Sequence, residues 1–503
     1  MVFHLEFKPK HKASIYLILI ILCFVNMSCI KKINLYQGDK DDNENTEKSQ
    51  DIISETDFLY PFHQEAENIQ AEITIHTNSP LPNIETLKAE FPVLKYNKSW
   101  LLMLTQDDCK HAAFSCTWAA INGKPLSPQY FYDLAHLQAG DLPPDIYYLG
   151  KTLGSTDGAG NEIRFSFTTT LLSEWDSMNV KTNIHKGFTE NYYRFFMKSS
   201  LIWGNVREML NYGVGIAFHD VMANDVNNEN DILKHYEIAQ NIILEKLSGR
   251  GCKMLAEPNG NKTYVNAALS YSPIQTMTAQ TQGIKLYPYQ DSQNLNKALI
   301  ERSFYNPPLN DKRNNIDMIK AAITDELLKP KEQRSAIYIG VHGTDTGWGE
   351  LLLWINNEYG KDGLDNVWMP NQEEYYEYNY YRTLSVINSP SKIDDHTLKF
   401  SVSLPSGQYF YYPSVTINLS GIQLENIASI ETNNDVTGLS YADYRDGIML
   451  NIDCRKYLFE HAENFVKRYE ANPSDASNKA DALYFVNILK ESAKKEALKK
   501  RLQ

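Results

Sequence analysis

The feature that most constrains the fold of this chain is a repeated unit, in which an apolar run ends in an ionisable residue and a helical pattern follows. The apolar run at residues 100–104 is followed closely by Asp107 and Asp108, and two further runs end at His219 and at His342. Continuous apolar runs indicate strands buried on both faces, and their alternation with helices predicts a parallel barrel with right-handed crossovers. Because parallel strands bring their carboxyl ends to one edge, we expect these side chains to share a rim.

Carboxylates and imidazoles on one rim are the ingredients of a hydrolytic site with a divalent metal. One carboxylate can bind the ion, and another can accept a proton from the attacking water. The structural alternative is that Asp107 and Asp108 only cap the next helix, and that each strand-end histidine is a hydrogen-bonded structural residue.

The order of these motifs resembles that of the polysaccharide deacetylase family, the NodB-like carbohydrate esterases, over about residues 101–382. In that family a Thr-Phe-Asp-Asp motif supplies a base and a metal ligand, a His-x-x-x-His motif supplies two ligands, and a late strand ends in a catalytic histidine. The resemblance implies that Asp107 is the base, that Asp108 and His219 bind a divalent metal, most simply zinc, and that His342 protonates the leaving amine or stabilises the oxyanion.

The resemblance also predicts the substrate-binding surface. The turn at residues 257–260 corresponds to a turn that shapes the family's pocket, so Pro258 and Gly260 are expected to contact the substrate. Trp348, on the helix after His342, is the third predicted substrate-binding residue. The implied reaction is removal of N-acetyl or O-acyl groups from a polysaccharide.

The chain departs from the family pattern at two positions. Ala223 stands where the second histidine is expected, so a third ligand has to come from another residue; the candidates are Asn224, Asp225 and His111. Ala256 stands where the family has an arginine that orients the catalytic aspartate, and losing such a partner typically costs about 10 to 100-fold in activity. A second hypothesis is therefore a catalytically inactive, carbohydrate-binding protein, and a third is a structural surface protein that binds no sugar.

Charge and motifs exclude other classes of partner. The formal net charge of -13 argues against nucleic acid, because phosphate binding needs a basic surface. Gly150-Lys151-Thr152 has Asp145 where a phosphate-binding loop needs its first glycine, which argues against a nucleotide.

The amino terminus predicts export. Three lysines at positions 8, 10 and 12 precede an apolar stretch at 15–25 and then Cys29, a pattern similar to a bacterial lipoprotein signal over residues 1–29. A plain membrane anchor or a cleaved signal is the alternative. Residues 30–57 are acidic and polar and predict a solvated tether. We therefore expect a lipid-anchored, exported protein of the bacterial cell envelope, at the outer membrane or the cell surface.

The remaining sequence divides into three predicted parts. Residues 58–384 are assigned to the distorted (β/α) barrel, and 385–470 to an antiparallel, β-sandwich-like module because short alternating runs begin there. Residues 471–503 predict an amphipathic helix with Ala480, Leu483, Val486 and Leu489 on one face. Cys109 and Cys116 could pair in an oxidising compartment or remain packed thiols.

Overall fold

The computed structural model describes residues 50–52, 68–180, 182–184, 193–196, 200–290, 294–307 and 314–503. The predicted signal and most of the predicted tether lie outside the described residues. Within the described ranges, no helix is both long and apolar enough to cross a bilayer.

Twenty-one strands and twelve α-helices are described. The strands are β1 Gln50–Ile52, β2 Ile69–Thr77, β3 Lys88–Glu90, β4 Trp100–Gln106, β5 Gly154–Thr156, β6 Glu162–Arg164, β7 Thr168–Leu171, β8 Thr182–Ile184, β9 Gly215–Phe218, β10 Met254–Ala256, β11 Thr276–Ala279, β12 Leu299–Glu301, β13 Ile337–Val341, β14 Val367–Trp368, β15 Val386–Ile387, β16 Ser391–Asp394, β17 Thr397–Leu404, β18 Ser414–Ser420, β19 Ile427–Thr432, β20 Gly438–Tyr444 and β21 Gly447–Asp453. The helices are α1 Ala119–Ile121, α2 Leu134–Ala139, α3 Tyr193–Phe196, α4 Trp203–Asn211, α5 Glu229–Lys246, α6 Lys262–Ser270, α7 Asn315–Leu327, α8 Thr346–Glu358, α9 Gln372–Leu384, α10 Leu458–Ala471, α11 Ala476–Ile488 and α12 Ala493–Arg501.

Seven of these strands form a nearly closed parallel barrel. Around the barrel they follow their order in the chain, β4, β7, β9, β10, β11, β12 and β13, and β13 pairs with β4. One parallel bridge, between Ser303 and Ile339, joins the end of β12 to β13, and β14 pairs in parallel with the first two residues of β4. The distorted (β/α) barrel expected from the sequence is thus confirmed, with the carboxyl ends of its strands on one rim.

Helix α9 seals the opposite, amino-terminal end of the barrel. Asn371 caps it, as its position before a tyrosine-rich run predicts, by accepting a hydrogen bond from the Glu374 amide at 2.9 Å. Gln372 then donates to Thr276 Oγ1 at 2.7 Å and, through its main-chain amide, to Thr168 Oγ1 at 3.2 Å. The interior of the barrel is therefore polar around the first turn of α9.

The two largest antiparallel sheets share one hydrophobic core; two further antiparallel pairs, β1 with β8 and β5 with β6, are separate from them. Of the two largest sheets, one has the order β15, β17, β2, β19, with β16 on β17, and the other has the order β20, β21, β18, β3. Strand β2 lies at the centre of the first sheet, although residues 58–384 were assigned to the barrel. Its side chains alternate between buried and partly exposed, with Ala71, Ile73 and Ile75 at 0% exposure, which is the pattern of a sheet with one face on the core. The module is therefore built from both ends of the chain.

Three helices, α10, α11 and α12, surround a small core of their own. The sequence predicted one helix over residues 471–503, where the structure has α11 and α12, and α10 lies almost wholly within the range assigned to the β module. On α11, Val486 is buried as predicted, but Leu483 is 39% exposed. Two contacts determine which face of α11 is buried. Phe485 stacks on Phe465 with centroids 4.0 Å apart, and the buried Asp481 faces the barrel, where its carboxylate pairs with Lys124 Nζ and with Arg164 Nη1, each at 2.6 Å.

Candidate active site

The carboxyl-terminal rim of the barrel collects the ionisable residues that the sequence singled out. Asp107 and Asp108 follow β4, His219 follows β9, and His342 follows β13. The amide of Asp107 donates to the carbonyl of Val341 at 2.8 Å, so the end of β4 is fixed directly beside the residue that precedes His342. The parallel barrel therefore brings all four predicted catalytic and metal-binding residues to one edge.

Asp107 is buried and forms an ion pair with an arginine that the sequence reading missed. Its side chain is 1% exposed, and its Oδ1 accepts a hydrogen bond from Arg302 Nη1 at 2.6 Å. The second nitrogen of the guanidinium, Nη2, donates to the carbonyl of Glu257 at 3.2 Å. Among the described residues, Asp107 Oδ2 has no hydrogen-bond partner although it is buried. A buried carboxylate oxygen in this state is available to a proton donor such as water.

Arg302 corrects the inference that this chain lacks an arginine to orient Asp107. Position 256 is alanine, as the sequence shows, but the guanidinium reaches Asp107 from the end of β12, two strands further around the barrel. The pattern that could have revealed it is the one that identified the histidines, an ionisable residue directly after a strand. Strand β12 has only three residues, so its periodic signal is too short to recognise.

Asp108 faces His219 across the rim. The distance from Asp108 Oδ1 to His219 Nε2 is 3.5 Å, and the Asp108 side chain is 42% exposed. Asp108 and Cys109 both have left-handed backbones, with φ of 61° and 52°. The amide of Cys109 donates to Thr170 Oγ1 at 3.2 Å, which holds this turn against β7. Left-handed backbone is uncommon outside glycine and clusters at functional sites, and here it turns Asp108 towards His219 and solvent.

The two groups change each other's protonation. The imidazole of His219, followed by the charges of Lys110 and His342, lowers the pKa of Asp108, and partial burial opposes this effect. Burial acts to lower the pKa of His219, but the carboxylates of Asp108 and Asp107 and the hydrogen bond to Ala256 outweigh it, so that the pKa of His219 is raised. Without a bound cation, Asp108 and His219 therefore favour their charged forms and attract each other.

The donor atoms of this pair have the chemistry of a small cation site. His219 Nδ1 donates to the carbonyl of Ala256 at 2.8 Å, so Nε2, which faces Asp108, is the nitrogen that would give up its proton to bind a cation. A histidine ligand to a metal usually has this arrangement. The 3.5 Å between Asp108 Oδ1 and His219 Nε2 is longer than a normal hydrogen bond and about the separation of two ligand atoms that each lie about 2.0–2.1 Å from one ion.

The described residues supply these two donors and no third. No group of three His, Cys, Asp or Glu side chains converges on a point in the described part of the chain. Ala223 is partly buried, and Asn224 and Asp225, which the sequence offered as replacements, are exposed. Catalytic zinc sites commonly have three protein ligands, so a cation bound by Asp108 and His219 alone would take its remaining ligands from water or substrate.

The loop after His219 is held by hydrogen bonds to the carboxylates of Glu174 and Asp220. Glu174 Oε2 accepts from the amide of Met222 at 2.8 Å, and Glu174 Oε1 lies 2.6 Å from His235 Nδ1. Asp220 Oδ1 accepts a hydrogen bond from the hydroxyl of Tyr264. These carboxylates fix the course of the loop, and the sequence reading did not identify them.

The other predicted residues lie in different surroundings. His342 is exposed on the rim, with its ring centroid 5.3 Å from that of Phe304. Pro258 and Gly260 belong to the turn after β10, next to the Glu257 carbonyl that binds Arg302, and Gly260 has φ of 67°. Trp348 is only 4% exposed, because it lies on the buried side of α8 and packs into the core, so its ring has no free face at the rim.

The cysteines of this region are reduced. Cys109 and Cys116 are both buried free thiols, and Cys116 Sγ donates to the carbonyl of Asp345 at 3.2 Å. Burial raises the pKa of Cys109 to about 11 and that of Cys116 to about 12, so neither is a reactive thiolate at neutral pH.

The chain is similar to a known protein family. Residues 71–503 match the family model described as Putative polysaccharide deacetylase, and the match spans the barrel, the antiparallel sheets and the carboxyl-terminal helices. No curated protein matches the chain.

Proposed function

Because the chain belongs to the polysaccharide deacetylase family, we propose that it is a hydrolase that removes N-acetyl or O-acyl groups from a polysaccharide. The observation that carries this proposal is the ion pair between Asp107 and Arg302, at 2.6 Å, on the same rim as the Asp108 and His219 pair. A buried carboxylate held by a guanidinium, beside two potential cation ligands, can supply a general base and an electrophile for the hydrolysis of an amide by water.

Asp107 is the proposed general base. Arg302 fixes Oδ1 and holds the carboxylate in one orientation, while Oδ2 is left for the attacking water. General base catalysis by a positioned carboxylate typically contributes about 10² to 10⁴-fold in rate. The ion pair keeps the carboxylate in place before the substrate arrives, so little reorganisation is needed at the moment of proton transfer.

Asp108 and His219 are the proposed ligands of a divalent cation, most simply zinc. A cation held there would polarise the substrate carbonyl and lower the pKa of a bound water to about 7. The roles of the protein are to present Asp108 Oδ1 and His219 Nε2 together and, through the Ala256 carbonyl, to fix the imidazole in the tautomer that leaves Nε2 without a proton. With two protein donors we expect weaker affinity than for a three-ligand site.

His342 is the proposed proton donor to the leaving nitrogen. It directly follows β13, which pairs with the strand that precedes Asp107, so the two would act from neighbouring positions of the rim. The turn with Pro258 and Gly260 is the proposed substrate-contacting wall. The proposed setting is the bacterial cell envelope, with a lipid anchor at Cys29, on the evidence of the amino-terminal sequence pattern.

A second candidate is favoured by one observation, the absence of a third ligand among the described residues. A barrel that keeps the rim but binds no metal would act as a carbohydrate-binding protein. This candidate predicts affinity for acetylated glycans without release of acetate.

The deciding experiment measures zinc binding and acetate release on one preparation of the full-length chain. Zinc is titrated calorimetrically after removal of metal with a chelator, and acetate release from chito-oligosaccharides is followed with and without added zinc. Asp108→Asn removes a proposed ligand, and Asp443→Asn, an exposed carboxylate of β20, is the matched control.

If the chain is a hydrolase, the wild type and the Asp443→Asn control should release acetate in a zinc-dependent manner, and Asp108→Asn should not. Glycan binding without acetate release, at any zinc concentration, would refute the hydrolase and establish the binding protein.

A further inference from the structure

The seam that closes the barrel places an aromatic residue on the rim. Ser303 forms the bridge to Ile339 of β13, and Phe304 follows it directly. The ring of Phe304 packs over Gly340, where an added Cβ would lie 2.5 Å from ring atom Cζ. Contacts that short do not occur between carbon atoms, so Gly340 is the residue that lets the ring approach the strand.

Phe304 contacts two of the site residues at once. Its ring lies 5.3 Å from the imidazole of His342, with 33° between the planes, and 5.0 Å from the guanidinium carbon of Arg302. Both distances are within the range of favourable aromatic and cation–π contacts. The ring thus stands between the proposed proton donor and the arginine that holds the proposed base.

His342 has little else to hold it. The side chain is exposed, and no hydrogen bond joins its ring to another described residue. Thr344, two residues later, is anchored instead: its Oγ1 lies 3.0 Å from Thr117 Oγ1 and accepts from Gln106 Nε2 at 3.3 Å. The main chain after β13 is therefore fixed, while the orientation of the imidazole depends on the face of Phe304.

We propose that Phe304 is a positioning residue for the reaction, which orients the imidazole of His342 and holds the guanidinium of Arg302 against Asp107. This inference rests on the proposed function. A proton donor has to lie within hydrogen-bond reach of the leaving nitrogen, and an exposed imidazole without a neighbour samples many orientations. One ring in contact with both groups sets the acid and the base relative to each other.

The first arm of the test is spectroscopic and needs no activity. Stacking on Phe304 shifts the ring protons of His342 upfield in the NMR spectrum of the full-length chain, and His342→Gln assigns them. Phe304→Leu removes the ring at similar volume and should abolish this shift, whereas Phe304→Tyr should keep it. The signals of His136, whose ring packs against Phe131 at 6.0 Å in the core, serve as the internal control for folding.

The second arm is kinetic. Because the contact acts on proton transfer rather than on sugar binding, Phe304→Leu should lower kcat for acetate release about tenfold with little change in KM, and Phe304→Tyr should restore kcat. Gly340→Ala tests the same contact from the strand. It should displace the ring and reproduce the loss of the His342 shift, and adding Phe304→Leu should relieve the clash and recover thermal stability.

The outcomes separate cleanly. Loss of the shift together with a lower kcat supports the proposal. His342 signals that are the same in Phe304→Leu as in the wild type, or a lost shift with unchanged kcat, would overturn it. A wild-type chain that shows the shift but releases no acetate would refute the proposed function and with it the kinetic role of Phe304, while the contact itself would stand.

Discussion

Both ends of the barrel carry acidic and basic side chains, but the two groups differ in how far they are buried and paired. At the amino-terminal end, Arg250, Lys253, Glu373 and Glu377 have side chains with 0% exposure, and each has a partner of opposite charge. Arg250 Nη2 lies 2.6 Å from Glu373 Oε2, and the amides of Tyr411 and Tyr412 also donate to Glu377. At the carboxyl-terminal end, Asp108 is 42% exposed and Asp107 Oδ2 has no partner among the described residues.

This difference indicates that the amino-terminal charges stabilise the fold, whereas the carboxyl-terminal charges are available to bind a ligand. A buried ion pair needs good geometry and further hydrogen bonds to offset the desolvation of its members, and the amino-terminal group has both. The carboxyl-terminal group leaves acceptor capacity unused and adopts a left-handed backbone at Asp108. Unused capacity in a strained setting is typical of functional sites. We therefore expect substitutions at the amino-terminal end to act on stability and substitutions at the carboxyl-terminal end to act on activity.

The largest effect is expected on activity at the carboxyl-terminal end. Asp107→Asn retains an acceptor for Arg302 but cannot take a proton from water, so kcat/KM for acetate release should fall about 10² to 10⁴-fold. The assay is acetate release at saturating zinc, with Asp443→Asn as control. Activity within threefold of the wild type would remove Asp107 from the role of base.

The matching change at the amino-terminal end should act on stability. Glu373→Gln leaves Arg250 buried beside a neutral amide and weakens the hydrogen bond from the Ile216 amide, which is 3.1 Å long in the wild type. We expect the free energy of unfolding in urea to fall by about 3–5 kcal/mol.

Zinc affinity of the folded Glu373→Gln protein should not change. The double variant Arg250→Met with Glu373→Leu removes both charges and should recover most of the loss, because breaking a buried pair costs more than replacing it. A stable Glu373→Gln variant with reduced zinc affinity would contradict the division between the two ends.

The sequence predicted the carboxyl-terminal end better than the amino-terminal one. Strands such as β4 and β13 are continuous apolar runs, so their type and the residues at their ends follow from local pattern. The pairing of β2 with β17 joins residues more than 300 positions apart, and no local pattern specifies a partner. The buried charges were missed for the same reason. In the sequence, Glu373 and Glu377 have the pattern of the exposed face of a helix, and they are buried only because the barrel packs on α9.

The site residues that were missed or misplaced also show that local sequence pattern does not determine packing. Asp107, Asp108, His219 and His342 were found because each follows a recognisable strand, whereas Arg302 follows a strand of three residues. Trp348 was selected for its type and its place after His342, but the side of α8 on which it lies is determined by packing. Residue type and order can be read along the chain, while burial depends on which elements meet.

An intermediate effect is expected for Arg302→Lys. A lysine keeps the charge but offers a single ammonium, which cannot bind both Asp107 Oδ1 and the Glu257 carbonyl as the planar guanidinium does. We expect kcat/KM to fall about 10 to 100-fold, as for other residues that orient a catalytic group. The control is Arg334→Lys, since Arg334 also donates to backbone carbonyls but lies before β13, away from the rim. Equal losses in both variants would show a general effect of removing a guanidinium.

The smallest effect is expected for the stability of Asp108→Asn. Asp108 is partly exposed, and asparagine tolerates a left-handed backbone, so in metal-free buffer the free energy of unfolding should change by less than about 1 kcal/mol. The sign of the pH dependence follows from His219. Burial lowers its pKa, but Asp108 and Asp107 raise it by more, so the folded-state pKa is above the unfolded value of about 6.5. The stabilisation by the pair is therefore greatest between the unfolded-state pKa of Asp108, about 3.8, and that of His219, about 6.5. It is lost as the pH rises through the folded-state pKa of His219, and also as the pH falls through the lowered folded-state pKa of Asp108.

Asp108→Asn should therefore be slightly less stable than the wild type between about pH 4 and 6.5 and equal to it at high pH, as measured by urea unfolding with a chelator present. The same substitution should abolish zinc binding. The same kind of change, from a carboxylate to an amide, should thus have opposite effects at the two ends. Glu373→Gln should lower the free energy of unfolding and leave zinc affinity unchanged, whereas Asp108→Asn should leave the free energy of unfolding nearly unchanged and abolish zinc binding. A difference in stability that grows as the pH rises above about 6.5 would mean that Asp108 and His219 do not interact as an ion pair. The charges at the carboxyl-terminal end would then not differ in the proposed way from the buried pairs at the amino-terminal end.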